Sequence, residues 1–268
     1  MSDFSRTLIA RSGYGGRGFA DTYDAFRPSP PQALLDVLSH VAQTPHPSLV
    51  VDLGCGTGLS TRAWSERADD VVGVEANPAM LEQAATAGGP RYVEATADQT
   101  GLPGGRADLV TCAQSFHWME PAPVLAEAAR LLRPGGAFAA YDYDWPPSTE
   151  PEIDAAFGAH QAARGEARSR LRLEAGAATW PKDRHLEQIR ASGLFRHARE
   201  LVCHGWEEVD AARVAGLAES IGGPRAIFGD RAPAVTETFE RLRLVSERLL
   251  GDRRVPMLLC YRIRVGII

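Results

Sequence analysis

The sequence predicts an α/β fold built on a doubly wound, mostly parallel seven-stranded sheet. Three observations carry that expectation. The apolar run Leu49 to Leu53 ends in glycines at every second residue, Gly54, Gly56 and Gly58. A second apolar run, Val71 to Val74, ends in an acid, Glu75. Strand-like and helix-like segments then alternate to the C-terminus, the pattern of β-α-β units.

The opening unit is a buried strand, Leu49 to Leu53, then a glycine turn, then a helix read over Leu59 to Ala68. Glycine lets the turn take positive φ and lets a ligand lie against the main chain. The helix N-terminus would point at that ligand. A pyrophosphate dinucleotide turn wants a third glycine where this chain has Leu59. Glu75 falls about 20 residues downstream, where a carboxylate grips a ribose diol. Turn and acid together predict an adenosine ligand without phosphates, since the turn is short and free of Arg and Lys.

The segment Val51-Asp52-Leu53-Gly54-Cys55-Gly56-Thr57-Gly58 resembles the signature turn of the class I S-adenosylmethionine-dependent methyltransferases. The resemblance spans roughly Phe19 to Tyr141. It implies the Rossmann-like methyltransferase fold, S-adenosylmethionine as cofactor, and a turn cradling its methionine half. Cofactor contacts then fall to Asp52, Gly54, Gly56, Thr57, Gly58, Glu75 and Ala76. Phe19 to Phe26 carries aromatics spaced for one helical face. With Arg27 and Pro28 it is similar to the N-terminal cap of the ubiquinone and trans-aconitate types, in which a Tyr and an Arg close over the cofactor. Tyr23 and Arg27 take that place here, or else Tyr23 packs and Arg27 is solvated.

The remaining elements follow in order. Residues 11–18 are Gly- and Ser-rich and read as loop. Gln32 to Ala42 is a helix. Asn77 caps a helix opened by Pro78. Met80, one turn in, touches adenine or is plain core. Arg91 to Ala95 is a short strand, and Ala97 and Asp98 follow at its ligand-edge end. The resemblance gives Asp98 the adenine amino group; the alternative is a turn-forming Asp. Ala107 to Ala113 is the fourth strand, with Asp108 at its far end and structural.

Gln114 to Met119 leaves that strand on the ligand edge. Polar and aromatic residues clustered there suggest a ligand. Gln114 is placed on the methionine end of the cofactor. The Phe116-His117-Trp118 triplet resembles the trans-aconitate type. His117 is the candidate general base, its ordinary pKa lying near neutrality, or a structural His. Phe116 and Trp118 are candidate substrate walls. Pro121 to Leu132 is a helix, stopped by a turn at Arg133 to Gly136 that leads into a strand, Ala137 to Tyr141. Tyr143 and Trp145 follow on a second candidate substrate loop.

The C-terminal half resembles the family less. Glu152 to Arg172 is a helix with Arg164, Arg168, Arg170 and Arg172, a solvated face or a carboxylate site. Lys182 to Ser192 is a helix, Phe195 to Trp206 a strand, and Val209 to Ser220 and Ala232 to Leu250 helices. Met257 to Val265 is the last strand, which the resemblance implies runs antiparallel. The expected divisions are an N-terminal helical cap over 1–44, a cofactor core over 45–147, a helical substrate lid over 148–191, and a C-terminal completion over 192–268.

A net charge of −5 argues against a nucleic-acid partner. Four scattered cysteines and seven histidines lack zinc spacing, so no metal is expected. Sparse cysteines, no membrane-length apolar run and no signal-peptide core point to a cytoplasmic chain with no membrane partner. The expected partner is a small-molecule methyl acceptor; the oligomeric state is unreadable. Two other classes stay open: a non-methylating S-adenosylmethionine-binding protein, either rearrangement catalyst or binding module, and a nicotinamide oxidoreductase, which the absent third glycine disfavours.

Overall fold

The computed structural model describes residues 17–173, 179–221 and 228–268. The strands are β1 (Leu49–Leu53), β2 (Asp70–Glu75), β3 (Arg91–Glu94), β4 (Ala107–Ala113), β5 (Leu132–Tyr143), β6 (His197–Val209) and β7 (Val255–Ile267). They form one seven-stranded sheet in the order β3-β2-β1-β4-β5-β7-β6. The first five strands pair parallel, and β7 runs antiparallel to both β5 and β6. Strand order reverses between β1 and β4. Chain leaving the carboxyl ends of these two strands therefore opens onto one crevice.

Both faces of the sheet are covered, which explains why the central strands read as continuous apolar runs. Val50, Leu109, Ala137, Ala139 and Ile263 point to one face. There they meet α2 (Gln32–Val41), α6 (Pro151–Arg170), α8 (Ala211–Glu219) and α9 (Pro233–Leu250). Val51, Val110, Phe138 and Ala140 point to the other, against α5 (Pro121–Leu131) and Ile189 of α7 (His185–Ala191). The alternation follows from the two-residue period of a strand. Among the described residues no helix is long and apolar enough to cross a membrane.

Several elements differ from the sequence expectation. The first helix, α1 (Arg17–Phe26), already includes the end of the expected 11–18 loop; residues 11–16 lie outside the described chain. The helix after the glycine turn, α3, is a single turn, Leu59–Arg62. Beyond it Ala63, Trp64 and Ser65 donate to carbonyls three residues back, and the fully buried Trp64 anchors the tightened segment. Arg133 to Gly136 is not a turn after α5 but a bulge inside β5. Leu132 pairs with Ala107, and the register has slipped by the next pair, Ala137 with Leu109. The expected helix from Lys182 begins as a 3-10 turn, Lys182–Arg184, and becomes α7 at His185.

Candidate active site

After β1 the chain turns at once. The N–H groups of Gly54 and Cys55 both donate to the Val74 carbonyl, at 2.8 and 3.1 Å, which locks the turn to the end of β2. Gly56 has φ +58°, and a Cβ added there would meet nothing within 4 Å among the described residues. The main chain at this residue therefore lies bare along the cavity. Gly58 differs: a Cβ there would strike the Tyr92 phenol.

Asp52 braces the turn from behind. It is fully buried and accepts from the hydroxyls of Ser60 (2.5 Å), Thr61 (2.8 Å) and Thr111 (2.9 Å). Burial pushes its carboxyl up, while the three hydroxyls oppose that rise. Asp52, Thr57 and Gly58, expected as ligand contacts, do not line the cavity. Their side of the turn faces the sheet, where hydroxyls and Tyr92 fill the space. The one-turn length of α3 also removes the long helix expected to aim its dipole at a ligand.

Glu75 spans from β2 back to the turn. Its Oε2 accepts from Gly56 N–H at 2.9 Å and its Oε1 from Asn77 N–H at 2.8 Å. Burial raises its carboxyl, and these backbone bonds pull the other way. Asn77 Oδ1 accepts from Ala79 N–H at 3.0 Å and caps α4 (Pro78–Ala87), as its sequence position predicts. Glu75, Ala76, Met80, Ala97 and Asp98 all line one cavity of about 420 Å³ together with Gly54 and Gly56.

The opposite wall is aromatic and cationic. Arg27 is buried, not solvated. Its Nη1 donates to the Tyr143 hydroxyl at 2.7 Å and its Nη2 to the Ser220 carbonyl at 3.1 Å. Its guanidinium lies 4.8 Å from the Tyr23 ring centre and 5.4 Å from that of Trp145. Tyr23, Arg27, Tyr143, Trp145 and Trp118 line the cavity. Phe116 does not. It is buried in the core beneath, 5.5 Å from the Phe138 ring and 4.9 Å from that of His185. Across the 3-10 turn Phe116–Trp118 the His117 and Trp118 rings stay together on the cavity, 5.1 Å apart, and Phe116 points inward where a substrate wall was expected.

Gln114 and His117 line the cavity, and with them Lys182, a residue the sequence reading passed over as an ordinary helix start. Gln114 holds φ +54°, rare outside glycine. Lys182 Nζ donates to Gln114 Oε1 at 2.9 Å and stands 2.7 Å from Asp142 Oδ1. Asp142 is buried and also receives Arg264 at 3.2 Å. Burial and the Lys182 ammonium push His117 down to about 3, against the opposing pull of Asp142. The imidazole is therefore neutral at neutral pH. No local pattern marks Lys182, because the contact joins chain segments 68 residues apart.

Comparison with known proteins adds to this geometry. Residues 51–140 match the family profile of a methyltransferase domain. An uncharacterised methyltransferase of Mycobacterium tuberculosis is 41% identical over 117 residues, 42% of this chain and 46% of the relative. The trans-aconitate 2-methyltransferase of Methylobacterium radiotolerans is 40% identical over 97 residues, 35% of this chain and 37% of the relative. The matches thus span less than half of each curated relative. Among solved structures, a candidate type II methyltransferase from Anaeromyxobacter dehalogenans superposes with a TM-score of 0.65 at 26% identity, covering 90% of this chain and 98% of that one. Sheet order, glycine turn and these similarities agree on a Rossmann-like methyltransferase fold, with residues 51–140 similar to a methyltransferase domain.

Proposed function

We propose that the chain transfers a methyl group from S-adenosylmethionine to a small-molecule acceptor by in-line displacement. One observation carries the reading. Bare main chain at Gly56 and the Glu75 carboxylate face the same cavity, each fixed by the other. The cavity volume, about 420 Å³, lies in the range of sites that enclose a small cofactor.

The residues present fit that cofactor. Each Glu75 oxygen keeps a lone pair after its backbone bond, so the carboxylate can still accept from ribose hydroxyls. Asp98, Ala97, Ala76 and Met80 suit an adenine edge and face. Gly54 and Gln114 would hold the aminoacyl end, and Tyr23 and Arg27 would close it from the cap. The cofactor supplies an activated methyl on a sulfonium. The protein's part is then to orient and to exclude water, which can supply much of the acceleration. Trp118, Tyr143 and Trp145 would wall the acceptor.

A carboxylic acid or specialised metabolite is the acceptor class this proposal favours. The trans-aconitate methyltransferase among the relatives and the cavity cations Arg27 and Lys182 support it. A cytoplasmic setting, the cap and lid divisions, and His117 as base belong to the same proposal. The test is mass spectrometry after incubation with S-adenosylmethionine and a panel of small carboxylic acids, phenols and amines. A product heavier by one methylene, together with S-adenosylhomocysteine, supports the reading. Cofactor binding with an unmethylated or rearranged product would replace it with the non-methylating alternative.

A further inference from the structure

The methyl-transfer reading leaves unexplained a buried polar cluster on the acceptor side of the cavity, and this inference rests on that reading. Asp142 stands near the end of β5, only 5% exposed. Its Oδ2 is held by Arg264 of β7 at 3.2 Å, and Arg264 is held in turn by Glu200 of β6 at 2.8 Å. The carboxylate is therefore fixed from below. Its other oxygen, Oδ1, has two suitors. Lys182 Nζ lies 2.7 Å away and His117 Nδ1 3.9 Å away. His117 Nδ1 is buried and makes no hydrogen bond among the described residues. A buried polar atom without a partner is unfavourable enough to need an account.

Among the described residues the charged and titratable groups facing His117 come from four elements: Lys182 from the 3-10 turn, His185 from α7, Asp142 from β5, and Arg27 from the end of α1. Of these Asp142 is the only anion. Lys182 is also the most movable. Its side chain is 36% exposed on a flexible stem, and its second tie is to Gln114, which lines the cavity. An acceptor oxygen arriving there competes directly for the ammonium.

We propose that Asp142 and Lys182 are positioning residues for His117, Lys182 holding Asp142 Oδ1 until an acceptor hydroxyl fills the cavity and His117 Nδ1 then taking that oxygen. A shift of about 1 Å brings Nδ1 within hydrogen-bond reach. Nδ1–H then donates to Asp142, which leaves Nε2 as the ring's acceptor. The acceptor O–H bond breaks, its electron pair stays on oxygen, and the proton passes to Nε2. The imidazolium formed is stabilised by Asp142. Burial, and after it Lys182, hold His117 down to about 3; the exchange removes the Lys182 share and adds the bond to Asp142, which makes the ring a stronger base. Of the two acceptor classes proposed above, the one that needs this device is the specialised metabolite, arriving protonated as a phenol or enol. A carboxylate acceptor needs no base.

The test is a double-mutant cycle read on the His117 imidazole by NMR titration, with His117→Gln to assign its signal. The proteins are wild type, Lys182→Met, Asp142→Asn and the double variant. Shared use of Oδ1 requires Asp142→Asn to lower the His117 midpoint more in the Lys182→Met background than in wild type, by about one pH unit or more. Equal effects in the two backgrounds overturn the proposal. Asp142→Asn can fail to fold because it deprives Arg264 of a partner. Lys182→Met alone then decides: a raised midpoint with the proton on Nδ1 supports the exchange, and an unchanged midpoint and tautomer refute it. Calorimetry with S-adenosylhomocysteine on the same proteins separates the two readings. Binding with an additive cycle removes the exchange alone, whereas no binding by wild type removes methyl transfer beneath it.

Discussion

Glu75→Ala probes the cofactor side of the cavity most sharply. In the native protein the carboxylate joins two backbone donors, Gly56 N–H at 2.9 Å and Asn77 N–H at 2.8 Å. Truncation removes both acceptors, and it also removes the group proposed to accept from the ribose. A hydrogen bond to a charged group contributes about 1.5–3 kcal/mol, so one such loss weakens cofactor binding roughly 10- to 150-fold. Glu75→Gln is not a mild substitute. An amide has one acceptor oxygen where the carboxylate has two, so an NH₂ must face one of the two backbone donors. The assay is calorimetric titration with S-adenosylhomocysteine, paired with urea unfolding to separate lost contacts from lost folding. The pH dependence has a definite sign. Burial raises the Glu75 carboxyl, so affinity should fall, as the group takes up a proton, at a higher pH than an ordinary glutamate would give. A dissociation constant within twofold of wild type for a well-folded Glu75→Ala would refute the role.

Asp52→Ala should cost about 3–5 kcal/mol in urea unfolding, since three hydroxyls lose a buried anionic acceptor. A loss under about 1 kcal/mol would show that this brace does not hold the turn. Gly56→Ala should cost only about 1–2 kcal/mol of stability from its positive φ, because the methyl meets nothing. It should weaken S-adenosylhomocysteine binding more than it weakens folding; intact binding would mean that no ligand approaches there. Burial holds His185 down to about 4, whereas the unfolded chain takes up that proton near 6.5. Stability present above pH 6.5 should therefore be lost as the pH falls toward 4, by roughly 3 kcal/mol from this group. His185→Leu should flatten that part of the urea-versus-pH curve, and an unchanged slope would contradict the assignment.

Much of the fold was legible because its signals are local or periodic. Leu49 to Leu53 and Ala107 to Ala113 are buried on both faces and read as unbroken apolar runs. Asn77-Pro78 announced its helix through capping chemistry, and the cap bond is present. The expected helix to Ala68 and the turn at Arg133 to Gly136 went astray for one reason. Tertiary contacts, the burial of Trp64 and the pairing of Leu132 with Ala107, override local preference. Within the site, spacing brought out Gly54, Gly56 and Glu75, and the resemblance Asp98, and all four line one cavity. A resemblance does not tell which side of a one-residue alternation faces a ligand: Asp52 and Phe116, expected at the site on that ground, lie behind the cavity. Lys182 and Asp142 meet only through folding, across 40 residues, and no composition or motif foreshadows the pair.

The central claim is that adenosine lies between the bare turn at Gly56 and the carboxylate of Glu75. A crystal structure of the protein grown with S-adenosylhomocysteine tests it directly. The account expects ribose hydroxyls within hydrogen-bond distance of Glu75 and the adenine against Ala97, Asp98 and Met80. A nucleoside bound elsewhere, or with its ribose turned away from Glu75, would contradict it.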